Sequence, residues 1–127
     1  MSWQAFADSI VASRNATYSV IASCLASGGY GVLAASGQIQ PTPQEIEVLV
    51  KRLETPNTGE KLIIGGMSFG ATKCSTEYLV GRDMARGICV AKSNNALVVG
   101  VYGEGQYPGN CLSAVLKLVD TLKAGNY

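Results

Sequence analysis

The sequence predicts a single α+β domain over residues 1–127, in which helices cover both faces of an antiparallel sheet of about seven strands. One observation is that apolar residues recur at helical spacing in three segments, at the start, the middle and the end of the chain. Another is that short strand-like runs, separated by Gly, Ser and Asn turns, lie between them and indicate antiparallel pairing. We expect the two terminal helices to share one face of the sheet and the middle helix to cover the other.

Composition agrees with this prediction and narrows the class of protein. Apolar residues make up 47% of the 127 positions and charged residues 15%, which suits one compact core. No apolar run approaches the roughly 18 residues that span a bilayer. The start of the chain lacks the basic flank and apolar stretch of a signal peptide, so we expect a soluble protein in the cytoplasm. A net charge of +1 argues against a nucleic-acid binder.

The first helix is predicted to begin after Ser2, whose hydroxyl can cap the first turn. Its apolar stripe is Trp3, Phe6, Ala7 and Ile10, and the polar residues 13–15 end it. Two strands are predicted at residues 18–25 and 30–35, joined by a turn at residues 27–29.

The middle helix carries the clearest local signals. Thr42 is a good N-cap, Pro43 suits the first helical position, and Glu45 completes a capping box. Its predicted buried face is Ile46, Leu49, Val50 and Leu53. Residues 55–59 are expected to end the helix.

The rest of the chain is predicted to form a β-meander followed by a helix. The predicted strands are residues 61–65, 67–73, 76–80, 87–92 and 96–102, with a loop at 81–86. A glycine-rich loop at 103–109 leads into the last helix, which Gly125 is expected to end. The apolar stripe of that helix is Leu112, Val115, Leu116, Leu118, Val119 and Leu122.

Residues that carry catalytic or metal chemistry are scarce. Histidine is absent, which removes the commonest general base and metal ligand. Cys24, Cys74, Cys89 and Cys111 are widely spaced, so a zinc site is not expected, and disulfides are not expected in a reducing cytosol. Cys24 and Cys89 are predicted to be buried. The glycines at 103 and 105 lack the third glycine of a dinucleotide fingerprint. We therefore expect no enzymatic activity and no cofactor.

Aromatic residues near the two ends of the chain suggest a binding function. Proline-rich segments form stiff extended helices that stack on aromatic rings, and an indole N–H can donate to their carbonyls. Trp3, Phe6, Tyr30 and Tyr127 could form such a groove if the terminal helices lie together. The alternative is that Trp3 and Phe6 only anchor the first helix to the sheet.

The opening residues 1–6, Met-Ser-Trp-Gln-Ala-Phe, resemble the N-terminal signature of the profilin family. Residues 66–75, with a Lys-Cys-Ser run, and 81–92 are similar to the central strands of profilins, and residues 97–102, 108–109 and 118–122 to their last third. The resemblance implies a seven-stranded antiparallel sheet and binding of monomeric actin and of proline-rich proteins such as formins. It also implies faster nucleotide exchange on actin, and many relatives bind phosphoinositide headgroups.

The resemblance assigns residues to two surfaces. Trp3, Phe6, Leu122 and Tyr127 match the family's polyproline groove, whose second tryptophan falls near Val32, with Tyr30 as a stand-in. Because the aromatic of the last helix aligns with Thr121, we expect weakened polyproline binding. The implied actin-binding residues are Lys73, Thr76, Tyr78, Arg86, Lys92, Tyr107, Gly109, Ser113, Leu116 and Lys117. Asp83 lies where relatives often carry basic residues, which predicts weak phosphoinositide binding.

Two other functions are consistent with the residues alone. One is a regulatory sheet-and-helix interaction module that does not bind actin. The other is a ligand-sensing or catalytic domain with an apolar pocket, which the lack of histidine disfavours. A polyproline pull-down separates the first of these from the groove hypothesis.

Overall fold

The computed structural model describes residues 2–24 and 29–127. Its helices are α1 (Trp3–Ala12), α2 (Pro43–Glu54) and α3 (Pro108–Ala124). Its strands are β1 (Tyr18–Cys24), β2 (Tyr30–Ser36), β3 (Leu62–Ile64), β4 (Met67–Cys74), β5 (Tyr78–Asp83), β6 (Arg86–Lys92) and β7 (Ala96–Tyr102). The turn predicted at residues 27–29 falls largely outside the described residues. In the described part of the chain, no helix is long and apolar enough to cross a membrane.

The strands form one antiparallel sheet in the order β2-β1-β7-β6-β5-β4-β3, which confirms the seven-stranded prediction. Side chains alternate between two cores along regular strands such as β1. Val20 packs with Leu49 of α2, whereas its neighbour Ile21 packs with Ile10 of α1 and Val115 of α3. The terminal helices therefore share one face and α2 covers the other, as predicted.

The helix boundaries follow their predicted caps. The Ser2 hydroxyl accepts a hydrogen bond from the N–H of Ala5 at 3.1 Å. Thr42 and Glu45 form the predicted capping box, with Pro43 at the first helical position. The prediction for the last helix was wrong in one respect: Gly109 lies in its first turn rather than in the loop, because Pro108 begins the helix.

The prediction of a loop at residues 81–86 was also wrong. β5 continues to Asp83, β6 begins at Arg86, and only Met84 and Ala85 connect them. Gly81 allows close packing against neighbouring strands rather than forming a turn. A Cβ there would lie 3.1 Å from the Gly70 carbonyl oxygen and from side-chain atoms of Ile88 and Leu62. Arg82 therefore lies in β5, and its side chain projects from one face of the sheet.

Glu45 ties the start of α2 to the turn between β3 and β4. Its carboxylate accepts hydrogen bonds from the N–H groups of Thr42, Gly65 and Gly66 at 2.8, 3.0 and 2.9 Å. Burial alone would raise the pKa of the Glu45 carboxyl, but the hydrogen bonds from these three residues outweigh it, so the pKa is lowered. The carboxylate therefore stabilises the fold in its charged form.

We expect Glu45→Gln to lower the free energy of unfolding at pH 7 by about 1 kcal/mol, because an amide accepts these hydrogen bonds less well than a carboxylate. Since the folded-state pKa is depressed, the contribution is complete above the unfolded pKa of about 4.3 and disappears as the pH falls through the folded value. Urea unfolding at several pH values measures the difference. The control Glu47→Gln removes only an exposed pair with Lys51 and should change stability little at any pH. A Glu45→Gln deficit that stays constant down to acid pH would contradict this role.

Candidate functional site

Three aromatic side chains from the two ends of the chain meet on the surface. The ring centroids of Trp3 and Tyr127 are 5.2 Å apart in an edge-to-face arrangement, and those of Trp3 and Phe6 are 6.4 Å apart. The Tyr127 side chain is 51% exposed, and Trp3 and Phe6 are partly buried. These residues, the Trp3 cluster, therefore present ring surface to solvent instead of being sealed in the core.

The backbone around Tyr127 holds its ring in place. The Tyr127 N–H donates to the Leu122 carbonyl at 2.9 Å, and its own carbonyl oxygen accepts from the Ser93 hydroxyl at 2.8 Å and the Asn95 N–H at 3.1 Å. A Cβ on Gly125 would lie 3.1 Å from the ring, so the absent side chain leaves room for it. The cluster is thus organised before any ligand binds, which lowers the entropic cost of binding.

Polar contacts fix α1 against the edge of the sheet. The Ser19 hydroxyl donates to the Ala7 carbonyl at 2.6 Å, and the Gln4 amide donates to the Ala35 carbonyl at 2.8 Å. Ala7 and Ile10 are buried on the same side of the helix. Trp3 and Phe6 lie at the end of this stripe, where the helix reaches the surface.

Leu122 differs from the other groove residues predicted from the sequence. It is only 1% exposed and belongs to the core beneath the terminal helices. Its carbonyl holds the Tyr127 backbone. Leu122 therefore supports the cluster from below and has almost no surface that a ligand could contact.

The predicted stand-in Tyr30 lies on the wrong face. It pairs with Cys24 and packs on the α2 side of the sheet, and Val32 pairs with Ala22 of the same core. Directly opposed residues share a face, so neither side chain can join the Trp3 cluster. The cause is a β-bulge: Ile21 pairs with Ala34 and Ala22 with Val32, leaving Leu33 as an extra residue, and alternation is broken there.

A groove runs between α1 and α3, starting at Phe6. It encloses about 400 Å³. We call it the α1–α3 groove, and it is lined by Phe6, Ser9, Ile10, Ser13, Asn15, Ala114, Lys117, Leu118 and Thr121. Lys117, which the sequence assigned to actin binding, is therefore a lining residue of this groove.

Three strands, β3, β4 and β5, are left largely uncovered on the face of the terminal helices, because α1 packs on β1 and β2 and α3 on β6 and β7. On β5, Leu79 and Gly81 face the α2 core, so the alternate residues Tyr78 and Arg82 face the uncovered side. Lys73 of β4 lies over the Tyr78 ring, with its ammonium 5.2 Å from the ring centroid. We call Lys73, Tyr78 and Arg82 the β4–β5 surface.

The flank of α3 that adjoins this surface is apolar. Because Ala114, Lys117 and Thr121 line the groove toward α1, the 3.6-residue repeat puts Leu112 and Leu116 on the opposite flank. Both leucines are only partly buried. The β4–β5 surface therefore combines cationic side chains with neighbouring apolar ones.

Arg86 and Lys92 do not lie on this surface. The Arg86 guanidinium is 5.8 Å from the centroid of the Phe69 ring, which belongs to the α2 core, and pairs with Asp83 at 3.1 Å. Lys92 pairs in register with Leu97 of the same core and donates to the carbonyls of the following turn. The actin-binding residues expected to share one surface are thus divided between the two faces of the sheet.

The remaining residues of that set are exposed near the ends of elements. Thr76 lies in the connection between β4 and β5, and Ser113 lies on α3. Tyr107 is 71% exposed as the residue before α3, and Gly109 lies in the first turn of that helix. Sequence reasoning missed Arg82 because it ended β5 at Val80; alternation along the longer strand would have found it.

The cysteines lie in or against the two cores. Cys24 and Cys89 are buried as predicted, and so is Cys111. A hydrogen bond with the neighbouring Cys89 thiol, together with burial, raises the pKa of Cys111, which keeps that thiol protonated. Among residues 2–24 and 29–127, no cluster of three or more Cys, Asp or Glu side chains could hold a metal ion.

Comparison with known proteins gives one consistent result. The family model described as Profilin matches residues 1–127. Profilin-1 of Dictyostelium discoideum is 26% identical over 129 residues, covering 100% of both chains. Acanthamoeba castellanii profilin IA superposes with a TM-score of 0.89 at 22% identity, over 99% of this chain and 100% of that one. Mouse profilin IIa, solved with a double repeat from the FH1 domain of mDia1, has a TM-score of 0.81 at 16% identity and full coverage of both chains.

Proposed function

The chain belongs to the profilin family, and on that premise we propose that it binds monomeric actin through the β4–β5 surface and proline-rich segments through the Trp3 cluster. It thereby regulates actin filament assembly and delivers actin to elongation factors such as formins. The observation that carries the proposal is the exposed packing of Trp3 against Tyr127, 5.2 Å apart, at a junction of the two chain ends. A sheet-and-helix module without actin binding is not favoured, because the family match spans the whole chain.

The Trp3 cluster suits a proline-rich ligand for a physical reason. A polyproline II helix is already extended and loses little entropy on binding, and its rings offer flat apolar faces to aromatic side chains. Trp3 supplies ring area and an N–H donor, and Tyr127 supplies an exposed ring held by its backbone. The mouse relative was solved with an FH1 repeat, and we propose the same class of ligand here.

Actin assembly in the presence of a formin tests the whole proposal. The protein should slow spontaneous assembly of actin alone, since it holds monomers. It should support elongation by a formin that retains its proline-rich segment. A formin lacking that segment is the control and should gain nothing from the protein. Unchanged assembly in all three reactions would refute the proposal.

A substitution at Leu33 tests how far the proline-binding site extends from the Trp3 cluster along β2. It is 41% exposed and lies at the bulge between Val32, on the α2 side, and Ala34, in the core of the terminal helices. We expect Leu33→Trp to tighten binding of a proline decamer about three- to tenfold, because one further ring adds about 0.5–1.5 kcal/mol of stacking. Trp fluorescence or calorimetry measures the affinity. The matched control is Val32→Trp, on the α2 side, which should leave the affinity unchanged. Equal gains in both variants would contradict the proposal that a ring at position 33 reaches the Trp3 cluster.

The actin-binding role rests on the β4–β5 surface. Lys73 and Arg82 are exposed cations; Lys73 lies over the partly buried ring of Tyr78, and Arg82 lies four residues further along the same strand as Tyr78. Leu112 and Leu116 lie on the flank of α3 that is turned away from α1. Such a mixture of apolar anchors and cations is typical of a protein-binding surface. We propose that the protein acts in the cytoplasm by binding, without catalysis.

We propose only weak binding to phosphoinositide headgroups. Attraction to anionic lipid scales with the number of neighbouring cations. The cations of this protein lie on different faces, and Asp83 pairs with Arg86 at 3.1 Å. Vesicles with and without phosphoinositide, sedimented with the protein, measure this directly.

A further inference from the structure

The α1–α3 groove continues the Trp3 cluster, because Phe6 belongs to both. Its apolar lining includes Phe6, Ile10 and Leu118. Lys117 is the only charged residue among those that line it. A ligand that binds the Trp3 cluster could therefore extend past Phe6 into a channel that is apolar except for one cation.

The hydroxyl groups along the groove already donate to their own helices. Ser9 donates to the Phe6 carbonyl at 2.7 Å, Ser13 to the Ile10 carbonyl at 2.9 Å, and Thr121 to the Lys117 carbonyl at 3.0 Å. Lys117 itself is exposed and forms no ion pair with any residue that the structure describes. Its ammonium thus remains available to an anionic group of a ligand.

We propose that the α1–α3 groove binds the residues flanking a proline-rich segment and selects an apolar residue followed by an acidic one, whose carboxylate pairs with Lys117. The inference rests on the proposed proline-binding function. It assigns Lys117 to ligand selection in the groove, not to the β4–β5 surface.

The dimensions set where the acidic residue falls. From Phe6 to Ser13 the groove follows α1 for about 10 Å, at about 1.5 Å per residue. A polyproline II helix advances about 3.1 Å per residue, so about three residues span this length. Lys117 lies one helical turn from Thr121, toward the start of α3. The acidic residue is therefore expected within about two to four residues of the last proline stacked on the Trp3 cluster.

Proline octamers that carry Leu-Glu or Leu-Gln at the C-terminal end, or Glu-Leu or Gln-Leu at the N-terminal end, test the proposal by calorimetry. In one of the two orientations, the Glu peptide should bind the wild-type protein about two- to fivefold more tightly than the Gln peptide. The advantage should shrink when salt is raised from about 0.05 M to about 0.5 M, because the pair is exposed. In the Lys117→Met variant, the Glu and Gln peptides should bind with equal affinity. The Lys117→Glu variant should instead bind a Leu-Lys peptide more tightly than the Leu-Glu peptide.

The outcomes separate this inference from the function on which it rests. If the plain octamer binds but Glu and Gln peptides bind equally in both orientations, the groove inference is wrong and the Trp3 cluster stands. If the Glu preference persists in Lys117→Met, another cation is responsible and the assignment of Lys117 is wrong. If no peptide binds, the proline-binding function fails and the inference fails with it.

Discussion

Trp3→Ala is expected to abolish measurable binding of a proline decamer. Trp3 is the centre of its cluster, since its ring contacts both Phe6 and Tyr127. A central aromatic anchor commonly contributes about 2 kcal/mol or more, which is about 30-fold in affinity. Thr121 stands where the resemblance implies a further aromatic, so the site begins weak and such a loss takes it beyond detection.

Calorimetry is the suitable measurement for this variant, because the substitution removes the only tryptophan. Val48→Ala is the matched control: Val48 is 51% exposed, but it lies on α2, across the sheet from the cluster. Far-ultraviolet circular dichroism checks that both variants fold. If Trp3→Ala keeps its decamer affinity within about twofold while folded, the ligand binds elsewhere and the proposed groove is wrong.

Reversing the charges of the β4–β5 surface should weaken actin binding by about tenfold or more. In Lys73→Glu/Arg82→Glu, two cations on one face become anions, so that attraction to an anionic partner surface becomes repulsion. The expected effect is large because both residues are exposed on the same face of the uncovered strands, with Lys73 over the Tyr78 ring. Fluorescence anisotropy with labelled monomeric actin measures it. Decamer affinity should be preserved, since the Trp3 cluster is separate.

The matched control carries the same charge change on the other face. Arg86→Glu/Lys92→Glu alters two cations that lie toward the α2 core side, and actin affinity should stay within about threefold of wild type. This pair was assigned to actin binding from the sequence, so the comparison decides between the two assignments. Greater loss in the Arg86/Lys92 variant than in the Lys73/Arg82 variant would show that actin binds the opposite face.

Much of the fold was predictable because its signals are local. Ser2 and Thr42 cap their helices, and the seven strands arise from the predicted runs. Caps, turns and periodicity act within a few residues of each other, so they can be read without knowing the rest of the chain. One error arose because a glycine can indicate either a turn or close packing. Gly81 was interpreted as a turn residue, but it lies inside the sheet, where neighbouring atoms leave little room for a side chain.

The candidate site was predictable only in part. Trp3, Phe6 and Tyr127 come together as the sequence suggested, because the terminal helices share a face. No local signal excluded Tyr30 from the predicted groove. The side of the sheet on which Tyr30 lies depends on the bulge at Leu33, and this bulge forms only when β2 pairs with β1. Arg82 and Lys117 likewise acquired their surfaces from strand pairing and from the packing of α3.

The amino-acid sequence alone determined the elements, their order and the aromatic composition of one surface, since these depend on side-chain type and short-range spacing. Only the tertiary structure decided which side of the sheet each exposed side chain occupies. A single extra residue at Leu33 reverses the facing of Tyr30 and Val32. The physical reason is the two-residue period of a strand: one inserted residue exchanges its faces, and the sequence pattern of so short a strand does not reveal the insertion.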